Sequence, residues 1–479
     1  MARPDQALSF HHVGGFRYEL SGLRTGSVRD QILRAQLLVE RLLARNDLST
    51  DPLLVIGGGA AGVTAALTAS RLGRDVTLLE EQLSPFQTQA RVTTRWLDPT
   101  EFDWPQPHWR TADMAWAGSV YRLPYRANWA DQLATQWTTM WYSVVGPAPV
   151  ALPPGSGSIE EFTGVDARML TIADTSTGVR LAPWPAYGPA GRPYCAAISC
   201  VGFSGEHTSV RSTGGVSLEG PAFWSTDALG VPHLGIKPPS GRPIRVLVSG
   251  GGDGAQQDFL RVLTGNFGKR LFDALGLDKL KLDLADVLLA EDSARRAHAW
   301  SAPGSPPVRA YGDWHAAYER LADTVWAIWT SKPASIPALR PLLNPNVEVT
   351  WVVADASPGY SYGLNRLLVM LAARLHATFS GRPLPKAPSR GYKPTGNEVY
   401  LAGFVLDNVV PAGAAHVCGP ACYGIEHEVN VAARLPFVAP GVHSLGKFDV
   451  IVVRHGVNQK PLFSAAPVSE QLSPFDLPG

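Results

Sequence analysis

Cysteine is scarce in this chain: four residues in 479, too few and too scattered to form a disulfide framework. Excess charge is missing too. Lys and Arg number 42 and Asp and Glu 41, so a formal net charge of +1 offers no basic field to nucleic acid or an anionic membrane. No apolar run approaches the roughly 18–20 residues that cross a bilayer. The opening residues, MARPDQALSFHHVGG, lack the cationic-then-apolar order of a signal peptide. No repeat of about 20–50 residues recurs, and the 47 Gly and 40 Pro follow no period, so they mark turns. These absences lead to the expectation of a cytoplasmic protein with a small-molecule partner and neither nucleic acid nor membrane. What is plentiful is apolar residue, 45% against 17% charged, enough for a large core. The length predicts two or three domains.

The most informative segment is residues 53–81, LLVIGGGAAGVTAALTASRLGRDVTLLEE. A short apolar strand, Leu53–Ile56, runs into Gly57-x-Gly59-x-x-Gly62. A small-residue helix follows, with Ala66 and Ala69 spaced to face a sheet, and Gly73 closes it. A second strand, Asp75–Leu79, ends on Glu80, 18 residues after Gly62 (80 − 62). Each part has a physical task. Gly57 permits a tight turn, Gly59 lets backbone approach a pyrophosphate, and Gly62 lets helix and strand pack closely. The helix N-terminus offers free N–H groups and partial positive charge to phosphates. Glu80 can accept the hydroxyl hydrogens of a ribose.

The full pattern, GxGxxGxxxAxxAxxxGxxVxxxE, resembles the N-terminal fingerprint of FAD-dependent oxidoreductases of the two-dinucleotide-binding-domain type. The resemblance implies FAD, rather than NAD, at this first loop. It covers about 30 residues closely and the rest of the chain loosely.

A second fingerprint lies within IRVLVSGGGDGAQQDFLRV, residues 244–262. A strand, Ile244–Ser249, meets Gly250-x-Gly252-x-x-Ala255 and a helix, and Ala is tolerated at the third position of nucleotide loops. The resemblance puts a nicotinamide domain here, inserted in the FAD domain. Two features stand against a phosphate: Asp253 and Asp258 bring negative charge, and no strand ending in an acid or Arg follows at the usual distance. A helix-forming stretch runs instead to about residue 343, and the next strand is Val347–Val353. NADPH or NADH, no ligand, and another ligand all stay open. GGGDG also resembles the glycine loop of spermidine synthases and related S-adenosylmethionine-type folds, without their following strand and acid.

Elsewhere, Ser27 reads as a helix N-cap, with Asp30 in the first turn. Ile32, Leu33, Leu37, Leu38, Leu42 and Leu43 form an apolar stripe that docks on the main body; contact between copies, giving a homo-oligomer, is the alternative. Seven of the 14 Trp lie between Trp96 and Trp141. They wall a pocket with Arg95, Asp103 and His108, or they fill a core. CAAISCVGFSGE, residues 195–206, contains a strand of the kind where flavoprotein chains leave the FAD domain, and PPSGRP at 238–243 reads as a boundary. Asn365 and Arg366 begin a helix, where they hold an anion or serve as a cap and surface ion pair. Strands Val399–Val405 and Phe448–Val453 are expected to return to the FAD domain, the second ending on Arg454-His455-Gly456.

His416, Cys418, Cys422 and His427 crowd together, but H-x-C-x3-C-x4-H is not a usual zinc framework, and no metal is expected. Cys195 and Cys200 lie in a strand, roughly 16 Å apart if extended, too far to pair. Cys418 and Cys422 flank Gly-Pro and could close, which leaves dithiol chemistry as a minor alternative.

The expected fold class is α/β: a Rossmann-like FAD-binding domain with an inserted second Rossmann-like domain and a helical insertion. The expected division is an N-terminal helical extension over 1–50 and the first part of the FAD-binding domain, with its Trp-rich insertion, over 51–240. A second, NAD(P)-binding-like domain covers 241–394, with a helical insertion at 266–343, and a C-terminal return to the FAD domain covers 395–479. FAD is expected on Gly57, Gly58, Gly59, Ala61, Gly62 and Glu80, and NADPH or NADH on Gly250, Gly252, Gly254 and Ala255. No catalytic acid or base stands out. The function expected is an FAD-dependent oxidoreductase reduced by NAD(P)H, a reductase or monooxygenase. The alternative is a nucleotide-binding sensor without turnover, because a fold does not fix a function.

Overall fold

A computed structural model describes residues 6–20, 27–107, 109, 123–146, 152–182, 191–202, 205–211, 217–236, 241–299, 308–359, 361–384, 390–412, 426–436, 438–457 and 462–463. The chain divides into two units. The first comprises Met1–Pro99, Ala112–Gly205 and Val457–Gly479, and the second Thr100–Thr111 and Glu206–Gly456.

The first unit is built on a sheet of β1 (His12–Gly14), β2 (Arg17–Glu19), β3 (Leu53–Ile56), β4 (Val76–Glu80), β5 (Ile159–Thr163) and β6 (Ala196–Ser199). Their order is β1-β2-β6-β3-β4-β5, parallel throughout except for the β1–β2 hairpin. β3 is buried at all four residues, as a strand covered on both faces must be. Two helices cover one side. α1 (Val28–Leu43) starts at Ser27, whose Oγ accepts from Asp30 N at 2.9 Å. Its buried stripe of Ile32, Ala35, Leu38, Val39 and Leu42 packs on α2 (Ala60–Arg71). Each larger aliphatic side chain there contributes roughly 1.5–3 kcal/mol by leaving water. α2 is buried from Ala60 to Ser70 and rich in Ala, which brings its axis close to the sheet.

The Trp-rich region is split between the two cores. α3 (Ala130–Val145) turns Trp137 and Trp141 into the first core. Their indole N–H groups are satisfied by Pro124 O at 2.6 Å and Glu161 Oε1 at 2.9 Å. Trp104 and Trp109 belong to the second unit and pack on Phe272.

The second unit has its own parallel sheet, of β7 (Ile244–Ser249), β8 (Val347–Val353), β9 (Tyr400–Ala402) and β13 (Val450–Val453), in the order β9-β8-β7-β13. α4 (Asp253–Thr264) follows β7. α5 (Gly268–Ala274), α6 (Ala285–Ala299) and α7 (Val308–Thr330) form the helical insertion before β8, and α8 (Gly363–Ser380) joins β8 to β9. An antiparallel sheet of β10 (Phe404–Pro411), β11 (His427–Ala433) and β12 (Val442–Phe448) completes the unit.

Three expectations about organisation change. The stretch before residue 50 is more than a helical extension, since Arg17–Glu19 pairs in parallel with Ala197–Ser199. The division falls between residues 205 and 206, not at 240. Strands near 400 and 450 do not return to the first sheet: β9 pairs with β8, and β13 pairs with β7. Short apolar strands buried on both faces carry no mark of which sheet they join, so sequence alone could not place them. No described helix is long and apolar enough to cross a membrane.

Candidate functional site

Gly57 follows the last residue of β3 with φ +104°, a left-handed backbone that favours glycine, and a Cβ there would press on the Cys200 carbonyl. Its N–H donates to Leu79 O at 2.7 Å, which fixes the turn against β4. At Gly62 a Cβ would run into the Gly57 carbonyl, so glycine lets α2 lie on the turn. Gly59 differs. A Cβ there meets nothing within 4 Å, so the space above the loop is open. Gly59 is also the N-cap of α2 and has no side chain to occupy the first-turn N–H groups, and no acid lies in that turn. Ala61 lies buried in the same turn.

Glu80 closes the site at the end of β4. Its Oε2 accepts from Gly58 N and its Oε1 from Gln82 N at 2.7 Å. Burial raises its pKa, and the two N–H bonds oppose that rise. The chain then returns to the loop, where Phe86 N donates to Gly58 O at 3.1 Å. An open space over Gly59, helix N–H groups without a side-chain cap and a carboxylate at the strand tip together fit the pyrophosphate and ribose of a dinucleotide.

The second glycine loop repeats this plan within its own unit. Gly250 has φ +137° and donates its N–H to Val352 O at 3.0 Å, as Gly57 does to Leu79 O. Gly252 caps α4 without a side chain. The return also matches: a Cβ on Gly251 would lie 3.1 Å from Gly359 N. Gly359 is six residues beyond Val353 (359 − 353), and Phe86 is six beyond Glu80 (86 − 80). Four positions differ: Asp253 stands for Ala60, Gly254 for Ala61, Ala255 for Gly62 and Val353 for Glu80. Ala255 stands buried where the first loop needs Gly62. The residue after Val352, in the place of Glu80, is the buried Val353, whose Cγ1 lies 3.2 Å from the Cβ that Gly251 lacks. Gly254 faces Phe223, whose Cδ2 would lie 3.2 Å from an added Cβ.

The two acids that weighed against a phosphate are both engaged elsewhere. Asp253 Oδ1 accepts from Tyr362 N at 3.0 Å and Asn365 Nδ2 at 2.7 Å, so its carboxyl caps the start of α8. Burial pushes its pKa up to about 7, against the pull of these donors and of Arg366. Asp258 is fully buried in an ion-pair network: Arg454 reaches it at 2.8 Å and Arg261 at 3.0 Å, while Arg261 also holds Asp227 at 2.7 Å. Between them these contacts offset the negative charge that sequence set beside the loop.

Other expected site residues fall elsewhere. Arg366 is no surface cation. It is buried over Trp314, 4.0 Å from the ring, and donates to Pro358 O at 3.2 Å, to Gly359 O and to His315 Nδ1 at 3.1 Å. Arg95 is buried and Asp103 lies in a short 3-10 turn, while His108 is outside the described residues. His455 Nε2 meets Ser249 Oγ at 2.7 Å. Cys195 and Cys200 are free and buried, and burial raises both thiols, Cys195 to about 11, which keeps them unreactive. Of the His/Cys quartet only His427, buried in β11, is described; His416, Cys418 and Cys422 lie outside. Sequence reasoning missed Val353, because the helical insertion hides its register with Gly250.

Comparison with known proteins finds a family match that spans the first loop. Residues 53–146 match the family model described as FAD dependent oxidoreductase. Curated proteins give no match. Among solved structures, thioredoxin reductase from T. acidophilum is similar at 12% identity and TM-score 0.37, over 85% of this chain and 77% of that one. Bacillithiol disulfide reductase from Staphylococcus aureus is similar at 8% identity and TM-score 0.38, over 85% and 76%. A flavin monooxygenase from Stenotrophomonas maltophilia is similar at 16% identity and TM-score 0.28, over 44% and 54%. Likenesses this loose say nothing of activity. The similarity to FAD dependent oxidoreductases spans residues 53–146, which include β3, the first glycine loop, α2 and Glu80.

Proposed function

We propose that the protein is an FAD-dependent oxidoreductase in which Gly57, Gly58, Gly59, Ala61, Gly62 and Glu80 hold the cofactor. The observation that carries this reading is the open space over Gly59 at the bare start of α2, with Glu80 beside it. The α2 N–H groups would meet the pyrophosphate, and the Glu80 carboxylate would accept from the ribose hydroxyls. Bound FAD supplies two-electron redox chemistry; the chain supplies its position and the exclusion of water. Glu80 has a second task. By accepting from Gly58 N and Gln82 N it holds the loop in shape.

The finer part of the proposal is reduction by NADPH or NADH at Gly250, Gly252, Gly254 and Ala255. Its support is the repeat of strand, glycine turn, capless helix start and six-residue return around Gly250. The engagement of the Asp253 carboxyl by Tyr362 N and Asn365 Nδ2, and of Asp258 by Arg261 and Arg454, adds to it. A small-molecule substrate or dioxygen would accept the electrons. The test is anaerobic mixing of the purified protein with NADPH or NADH. Bleaching of a flavin spectrum supports the whole reading. A protein that binds no flavin, even on reconstitution, contradicts it, and a flavin that neither nicotinamide bleaches removes the finer part alone.

A further inference from the structure

The choice between the two nicotinamide cofactors rests on the second loop being a nucleotide site, and it is written in what stands where Glu80 stands in the first. A carboxylate at that position accepts from the 2′- and 3′-hydroxyls of a ribose and repels a phosphate placed on the 2′-oxygen. The second loop has Val353 there, buried and uncharged. Nothing at that position grips a free ribose, and nothing there repels a phosphate.

A cation lies beside the same strand end. Gly403 N donates to Val353 O at 2.8 Å and to Asp355 O at 3.1 Å, and Arg434 N donates to Gly403 O at 2.9 Å. These bonds anchor the Arg434 backbone next to the tip of β8. Its guanidinium is 59% exposed and reaches Asp355 across 4.0 Å, with Asp355 54% exposed. An exposed pair this loose contributes little, so the guanidinium is free to turn to a stronger anion. A phosphate dianion, which a guanidinium binds through two parallel N–H bonds, is such an anion.

We propose that the second glycine loop selects a dinucleotide bearing a 2′-phosphate, NADPH over NADH, through the absence of an acid at Val353 and the presence of Arg434. Asp355 is the group that argues the other way, since its carboxylate could take a ribose hydroxyl. It lies two residues past the strand position that Glu80 occupies, and Arg434 already faces it.

The experiment is calorimetric titration of the flavin-loaded protein with 2′,5′-ADP and with 5′-ADP, which reads binding without turnover. 2′,5′-ADP binds the wild type at least about tenfold tighter, the scale of one charge-assisted contact. Arg434→Ala brings the two affinities together and leaves flavin content unchanged. Val353→Glu reverses the preference. Because Val353 is buried, Asp355→Asn serves as a second, exposed variant, and it raises or preserves the preference for 2′,5′-ADP. Equal affinities in the wild type, an unchanged ratio in Arg434→Ala, or flavin-loaded protein that binds neither nucleotide would overturn the proposal. A protein with the preference intact but no flavin would instead overturn the reading of the first loop.

Discussion

Glu80 and Val353 occupy the same place in two copies of one motif. Each follows the residue whose carbonyl accepts the N–H of the first loop glycine, Leu79 for Gly57 and Val352 for Gly250. One position offers a carboxylate and the other an aliphatic surface. The contrast bears on ligand choice because the surrounding backbone is alike.

Substitutions at Gly59 and Glu80 test whether the first loop holds the cofactor. Gly59→Leu should still fold, with a loss of about 1 kcal/mol from the N-cap and a further fall in melting temperature from the missing ligand, since its Cβ enters open space at φ −74°. The side chain would fill the pyrophosphate's place, and flavin content should fall to background. Glu80→Gln should weaken FAD at least about tenfold by removing the charged acceptor. Flavin absorbance after gel filtration, with circular dichroism as the control, reads both effects.

The third loop position should behave oppositely in the two units. Gly62→Ala drives a methyl into the Gly57 carbonyl and should cost about 1–3 kcal/mol in chemical denaturation, with flavin loss. Ala255→Gly, where the methyl is already accommodated, should cost no more than a propensity change of about 1 kcal/mol in α4.

Asp253 should make stability fall as pH rises through a defined window. Its carboxyl ionises near 4 in the unfolded chain and at about 7 in the fold, because it is buried at the start of α8. Between those values the fold holds a proton that the unfolded chain has released, so raising the pH favours unfolding. Asp253→Asn keeps an acceptor for Tyr362 N and has no such proton. Its stability relative to wild type should climb from pH 4 to 7 and level off above, as read by urea unfolding at several pH values. A difference independent of pH would contradict the assignment.

Arg454 links β13 to α4 through Asp258. Arg454→Met should cost about 3–5 kcal/mol, because it leaves a buried carboxylate with one partner fewer. The double variant Arg454→Met with Asp258→Leu should recover much of that loss. Unfolding of both proteins measures the coupling.

The first loop could be read from sequence because every requirement is local: strand, glycine spacing and acid lie within residues 53–81, as the family match over 53–146 reflects. The second strand–glycine–helix was equally visible. Its counterpart to Glu80 was not, because α5, α6 and α7 come between α4 and β8. β2 was missed because Arg17-Tyr18-Glu19 is three residues with two charges, and only pairing with Ala197–Ser199 makes it a strand. β9 and β13 were seen as strands but placed in the wrong sheet. Arg366 looked like a surface cation until Trp314, Pro358 and Gly359 enclosed it, contacts made across 7 to 52 residues (366 − 359 and 366 − 314).

The most direct test is mass spectrometry of whatever leaves the purified protein on denaturation. The account predicts FAD in an amount equal to the protein. A preparation that releases no dinucleotide, and takes none up from added FAD, would contradict it.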